Sequence, residues 1–270
     1  MLYERDYNFL KREEENRLKE AEDYLECNIG KHKEISSDVF LKYHELKPEA
    51  SYFHQSLFPN NFLSIKSLEN KDELRRIEFE FQKLIDSNPN EREILNFINN
   101  NKYYNLIASI FHSGYTFGHH DAYLFKEFEF PATYKADYLL VGKNSHGYHF
   151  IFIELENSSG SITNRGGEFG TTIRKGIKQV EDWDKWLESN FNTLSLIFDR
   201  KKSNLIELPS EFRSLNKTRL NYVVVCGRRT DFKNNTYEDK RRLLRNKNIN
   251  LLHYDNLIDS YKTFYSTNNY

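Results

Sequence analysis

The stretch His149-Phe-Ile-Phe-Ile-Glu-Leu-Glu156 decides how the rest of this chain is read. From Phe150 to Leu155, five residues in six are apolar, the pattern of a strand buried on both faces. Yet the run ends in two carboxylates one residue apart. Side chains at i and i+2 leave a strand on the same side, so Glu154 and Glu156 stand together. Like charges drawn partly out of water repel, and a cation, a shared proton or full exposure has to relieve them.

Toward the N-terminus, residues 134–141 and 123–130 read as two further strands, with Pro131 breaking between them. Toward the C-terminus, a glycine-rich loop (Gly160, Gly166, Gly167, Gly170) leads into a helix over 171–189, where Ile173, Ile177, Val180 and Leu187 recur at helical spacing. A buried strand over 219–226, a basic helix over 236–246 and a strand over 249–254 follow. Ahead of the strands, helices are expected over 69–86, closed by Asn88-Pro89, and over 90–101, with Ile94, Leu95, Phe97 and Ile98 as the apolar face. Residues 36–66 mix their patterns and carry the breakers Pro48 and Pro59. Residues 1–27 read as a helix with Tyr7, Leu10, Leu18, Ala21 and Leu25 near a heptad stripe, interrupted by Glu14 and stopped at Asn28 and Gly30. Such a helix either packs on its own domain or forms a dimer contact. The expected class is α/β: helix, three consecutive strands, helix, strand, behind an N-terminal helical extension.

The 270 residues suffice for one large domain or a domain plus extension, and 29% charged with 15% aromatic residues describes a packed, ordered chain. Cys27 and Cys226 lie far apart, and Cys226 ends the apolar run from Tyr222, so a buried free thiol and a reducing cytoplasm are expected. No apolar run is long enough for export or membrane spanning. The net charge of -1 hides a separation: residues 1–30 hold nine acidic and five basic side chains, while 200–247 hold five acidic and fourteen basic. That excess argues for a polyanionic partner, against the plainer reading of solvated helix faces.

Asp137 lies in the strand before the glutamate pair. A two-residue turn at Ser145-His146 sets it opposite Glu154, a four-residue turn sets it opposite Phe152, and both keep it on the glutamates' face; a three-residue turn turns it away. Asp137, Glu154 and Glu156 then converge on one divalent cation, and oxygen donors without Cys or His favour Mg²⁺ or Mn²⁺, the ions of phosphate chemistry. The plain alternative has the glutamates emerging at the solvent end of the sheet, Glu156 pairing with Arg174 or Lys175. Other motifs carry less. Phe117-Gly-His-His-Asp121 reads as a surface turn, the glycine-rich loop lacks the Gly-Lys-Ser/Thr end of a P-loop, and no Gly-x-Ser-x-Gly elbow occurs.

The order of elements, with Asp137 on the second strand and Glu154-x-Glu156 on the third, resembles the PD-(D/E)XK, restriction-endonuclease-like nuclease core. Within that superfamily, the region from about 91 to 257 resembles the Shedu family of antiphage defence nucleases. The resemblance rests on Ala136-Asp137-Tyr138-Leu139-Leu140, Phe152-Ile-Glu-Leu-Glu156, Gly176-Ile-Lys-Gln-Val-Glu-Asp-Trp183 with Trp186, Val225-Cys-Gly-Arg-Arg229 and His253-Tyr-Asp-Asn-Leu257. It implies a nuclease domain over 89–270 behind an N-terminal helical region over 1–88 with an oligomerising or regulatory role, and Asp137 and Glu154 as metal ligands. Glu156 stands where the superfamily usually has a lysine, so it is expected to add a ligand or act as a base, with Lys175 or Lys178 on the next helix supplying the missing cation. Gln179, one turn after Lys175, is similar to a helix glutamine placed beside the metals in some branches. Glu91 or Glu93 holds the place of a further acidic ligand. The implied partner is DNA, phage or otherwise foreign, drawn in by Arg228, Arg229, Lys240, Arg241, Arg242 and Arg245, and the implied state is a homo-oligomer. A non-cleaving nucleic-acid sensor or an assembly protein is the alternative that the missing lysine leaves open.

Overall fold

Each residue of the stretch 149–156 has one of two destinations, because its side chains alternate between two helical layers. The computed structural model describes residues 2–29, 35–131 and 133–270. Its first helices are α1 (Arg12–Asn28), α2 (Ser37–Leu46), α3 (Glu49–His54), α4 (Lys71–Asp86), α5 (Glu91–Asn101) and the short α6 (Asn105–Ala108). Strands β1 (Asp121–Phe130), β2 (Tyr134–Asn144) and β3 (Gly147–Leu155) follow, then α7 (Thr171–Lys201), β4 (Leu220–Val225), α8 (Asn234–Lys247), β5 (Ile249–Leu252) and α9 (Tyr254–Lys262). The five strands form one sheet in the order β1-β2-β3-β4-β5. The first three are antiparallel neighbours, and β3, β4 and β5 run parallel.

Ile151, Ile153, Leu155, Val223 and Val225 face Ile77 and Phe81 of α4, Ile94 and Ile98 of α5, and Leu257 of α9. Phe150, Phe152, Tyr222 and Val224 face Val180, Trp183, Leu187, Phe191 and Phe198 of α7. Full burial of each large apolar side chain contributes about 1.5–3 kcal/mol, so this alternation fixes the register of β3. Glu154 shares the parity of Phe150 and Phe152 and therefore points to the α7 layer. The core also runs across residue 88, since α4 packs on the same cluster as the sheet.

Two local features place the site. The β2–β3 turn has two residues, Ser145 and His146, with Asn144 paired to Gly147; of the two turns that keep Asp137 with the glutamates, this is the one that levels it with Glu154. Gly147 has φ +104° and Glu211 packs where its Cβ would stand, so only glycine serves there. At Gly176 of α7 an added Cβ would come 2.6 Å from Val224 Cγ1 and 3.2 Å from Glu156 Cγ. That close approach lays the start of α7 directly over the end of β3. On the other side of β2, the β1 ladder pairs Lys126 with Tyr138 and Phe128 with Ala136 but skips Glu127, which sits at φ +49°. This kink lies opposite Asp137, the kind of ladder break found beside functional sites.

Several boundaries differ from the sequence reading. Helix α7 continues to Lys201 rather than 189, because Phe191, Leu194 and Phe198 extend its buried stripe. Residues 254–262 form a helix not foreseen. The first helix starts at Arg12, and Tyr7 lies ahead of it, stacked on Phe53 at 4.3 Å; its stop at Gly30 lies outside the described residues. Cys226 is buried and Cys27 exposed, both as free thiols. Among the described residues no helix is long and apolar enough to cross a membrane.

Candidate functional site

Strand β3 carries Glu154 into the layer beneath α7, where it is 3% exposed. Asp137 reaches the same place from β2. Its Oδ2 accepts the Leu155 N–H at 2.7 Å, a side chain standing where a strand neighbour's carbonyl would otherwise serve. The recorded β2–β3 pairing ends one step earlier, at Tyr138 and Ile153. The third member comes from α5. Asn90 caps that helix, and Glu93 closes the capping box by accepting the Asn90 N–H at 2.8 Å. Glu93 is thus spent on its own helix, and Glu91 turns into the site. Asn157, just beyond β3, fixes this by accepting the Glu91 N–H at 2.8 Å.

Carboxylate oxygens of Glu91, Asp137 and Glu154 all lie within 4.8 Å of one another. Opposite oxygens on a bound Mg²⁺ are about 4 Å apart, so the three fit a small hard cation with little movement. Glu154 Oε2 is buried and has no hydrogen-bond partner among the described residues. A buried acceptor left unpaired costs about 1–3 kcal/mol or more, and a cation would satisfy it. Burial drives the Glu154 carboxyl well above the usual carboxylate range, and the charges of Asp137 and Glu156 add to the effect. Asp137 is also raised, by burial first, with the Leu155 N–H pulling against it and Glu91 and Glu156 pushing further. Donors of this type hold Mg²⁺ or Mn²⁺ rather than zinc.

Glu156 stands apart from this trio, against the expectation that it would join Asp137 and Glu154 on one ion. Its Oε2 takes the Lys175 ammonium at 2.9 Å, and its Oε1 is buried without a partner under Gly176. Lys175 also reaches Glu91 at 3.3 Å. Burial lowers the Lys175 pKa, but the hydrogen bond and charge of Glu156 outweigh it and leave the ammonium raised. Of the two lysines considered for the missing cation, Lys175 is at the site; Lys178 pairs instead with Asp182 at 2.6 Å. Gln179 lies half-buried one turn beyond Lys175. Lys175→Ala is expected to lower the unfolding free energy by about 1–3 kcal/mol, because Glu156, at 1% exposure, would lose the ammonium opposite it and either stay charged or take up a proton at a cost. Chemical denaturation checks this, and adding Glu156→Gln should restore most of the loss; a double variant as unstable as the single would show that the pair does not act as a unit.

The basic residues expected to hold DNA divide. Arg228 is spent inside the fold, at 3.0 Å from Asp86 and 2.9 Å from Asp255, and is corrected to a structural role. Arg229 pairs with Asp259, and Arg242 with Asp239 at 3.4 Å. Lys240 is half-buried, while Arg241 and Arg245 are exposed on α8. His119 and His120 sit exposed in a turn, His120 facing Ser145 at 3.3 Å, as expected for that motif. Tyr254, at the start of α9, was missed: its hydroxyl donates to the Glu156 carbonyl at 2.6 Å and pins the end of β3. Asn157 was missed as well, since nothing in its sequence neighbourhood marks a cap borrowed by a distant helix.

Comparison with curated proteins and with solved structures gives no match. A family model described as Shedu protein SduA, C-terminal, matches residues 88–258, a segment that contains Glu91, Asp137, Glu154, Glu156 and Lys175. With more than half of the 270 residues so matched, the chain belongs to the Shedu family.

Proposed function

We propose that this protein is a metal-dependent DNA endonuclease on a restriction-endonuclease-like core. Family membership implies antiphage defence as its setting. The observation that carries the nuclease reading is the meeting of Glu91, Asp137 and Glu154 oxygens within 4.8 Å around an unpartnered buried acceptor. A three-strand antiparallel meander followed by a helix and a parallel strand supports the core.

Glu91, Asp137 and Glu154 would hold Mg²⁺ or Mn²⁺, which when bound supplies polarisation of the phosphoryl oxygen and a water of lowered pKa. The chain's own groups do the rest. Glu154 is sealed below, while Glu91 and Lys175 remain partly exposed at 31% and 58%, so a phosphate is met from their side. Lys175, held by Glu156 and Glu91, puts fixed positive charge at that mouth, the part the superfamily gives to the lysine that Glu156 replaces. Glu156 acts by holding Lys175. Gln179, on the same face of α7, would orient water or substrate. In hydrolysis the water oxygen bonds to phosphorus, the bond from phosphorus to one sugar oxygen breaks, and the departing oxygen takes a proton.

The test is cleavage of supercoiled plasmid by the purified chain with Mg²⁺, Mn²⁺ or a chelator. Nicked or linear product with an ion and none with chelator is expected. No product under either ion removes this reading and leaves a binding protein.

A further inference from the structure

A groove of about 580 Å³ runs along the outer edge of β1 and the last turns of α7, lined by Lys126, Lys135, Arg200 and Lys201 together with Glu127 and Glu129. The two carboxylates do not cancel the four cations. Glu127 is taken by Lys135 at 2.6 Å, and Glu129 faces Lys135 across the ladder. Arg200 and Lys201 are exposed and make no ion pair among the described residues. Lys126 lies 4.9 Å from the ring centroid of Tyr3 and makes no ion pair among the described residues. Three cations are therefore left facing water.

The edge itself is closed to another strand. The Leu124 carbonyl accepts from both the Tyr3 hydroxyl and Asn61, and the Lys126 N–H donates to Tyr3. An added peptide strand finds these groups taken, so side-chain cations are what the groove offers. Its position relates it to the site. Lys135 precedes Asp137 by two residues on β2, about 7 Å along the strand, and Glu127 sits across the ladder from Asp137. At the other end, Arg200 lies beyond Lys175 on the one helix α7, about 38 Å along its axis. At about 3.4 Å per base pair that is roughly one turn of duplex.

We infer that this groove grips the phosphodiester backbone of duplex DNA, from beside the carboxylate site at Lys126 to about one turn away at Arg200 and Lys201; the inference rests on the nuclease reading and adds to it the surface that holds the substrate. The test compares three proteins on a fluorescent 30-base-pair duplex, with Ca²⁺ replacing the active ion, across a salt series. One is the parent, one carries Lys126→Ala, Arg200→Ala and Lys201→Ala, and one carries Lys19→Ala, Lys83→Ala and Lys185→Ala at exposed cations elsewhere, to match the change in net charge. The groove variant should bind at least about tenfold more weakly than the charge-matched one near 0.1 M salt, with a salt slope smaller by about 2–3, as expected for three lost phosphate contacts. Its thermal shift with Mn²⁺ should equal the parent's, showing the carboxylate site intact. Equal losses in both variants, or no loss in either, overturn the groove while a cleaving parent keeps the nuclease reading. A parent with no salt-dependent DNA binding overturns both.

Discussion

Glu154→Ala is expected to slow metal-dependent DNA cleavage by about three orders of magnitude while leaving the circular dichroism spectrum that of the parent. The size follows from the chemistry: a metal ion contributes several kcal/mol to a phosphoryl transition state, and about 4 kcal/mol is roughly a thousandfold in rate. Glu154 is the member of the trio to choose. It has no hydrogen bond through Oε2 among the described residues and is 3% exposed, so alanine removes a proposed ligand without orphaning a described neighbour. Asp137→Ala is a poorer probe, because the Leu155 N–H would lose its acceptor and the end of β3 could shift. Cleavage at the parental rate by a folded Glu154→Ala protein would falsify the assignment of this site.

The second large effect is on stability, and its sign is opposite to that of most core substitutions. The folded Glu154 carboxyl is raised above its unfolded value, by burial first and then by Asp137 and Glu156. Below about pH 4 the group is protonated in both states and its contribution is fully present. As pH rises, the unfolded chain releases that proton and the folded chain keeps it. Stability then falls by up to about 1.4 kcal/mol per pH unit until the folded group titrates. Glu154→Gln carries no such proton. Without metal at pH 8 it should be more stable than the parent by roughly 2–4 kcal/mol, or about 5–10 °C in melting temperature for a chain of this size. Near pH 4 the two should nearly coincide. Mn²⁺ should raise the melting temperature of the parent and not of the variant. Thermal melts across pH 4–8 decide it, and parallel pH profiles for the two proteins would mean that Glu154 is not held neutral by the fold.

The strand and its carboxylates are legible in the sequence because they are local, whereas the partners that complete the site are not. The run 149–156 gave the central strand, its buried faces and the odd carboxylate pair, because period two and apolarity are local properties. The turn length is open among three values in the sequence, and the pairing of Asn144 with Gly147 decides it. Glu91 could not be told from Glu93, since the choice depends on a capping box on one side and on Asn157, 66 residues away in sequence, on the other. For Glu156 the sequence leaves two readings, a shared ion or a pair with Arg174 or Lys175, and the pair with Lys175 is the contact found. Spacing on a strand says which side chains share a face, and the close approach of α7 at Gly176 decides between the two readings. The basic residues taken for a DNA surface include Arg228, whose partners Asp86 and Asp255 come from two other helices and leave no local trace.

The Asp137 carboxylate that accepts the Leu155 amide is the same group a bound ion would draw on. A carboxylate that donates electron density to a cation holds an amide proton less strongly, so filling the site loosens a peptide group in the middle of the fold. Hydrogen–deuterium exchange at that single position should quicken when Mn²⁺ arrives, even as the surrounding strand becomes better protected. The protein's main chain would then carry its own gauge of whether the ion is aboard.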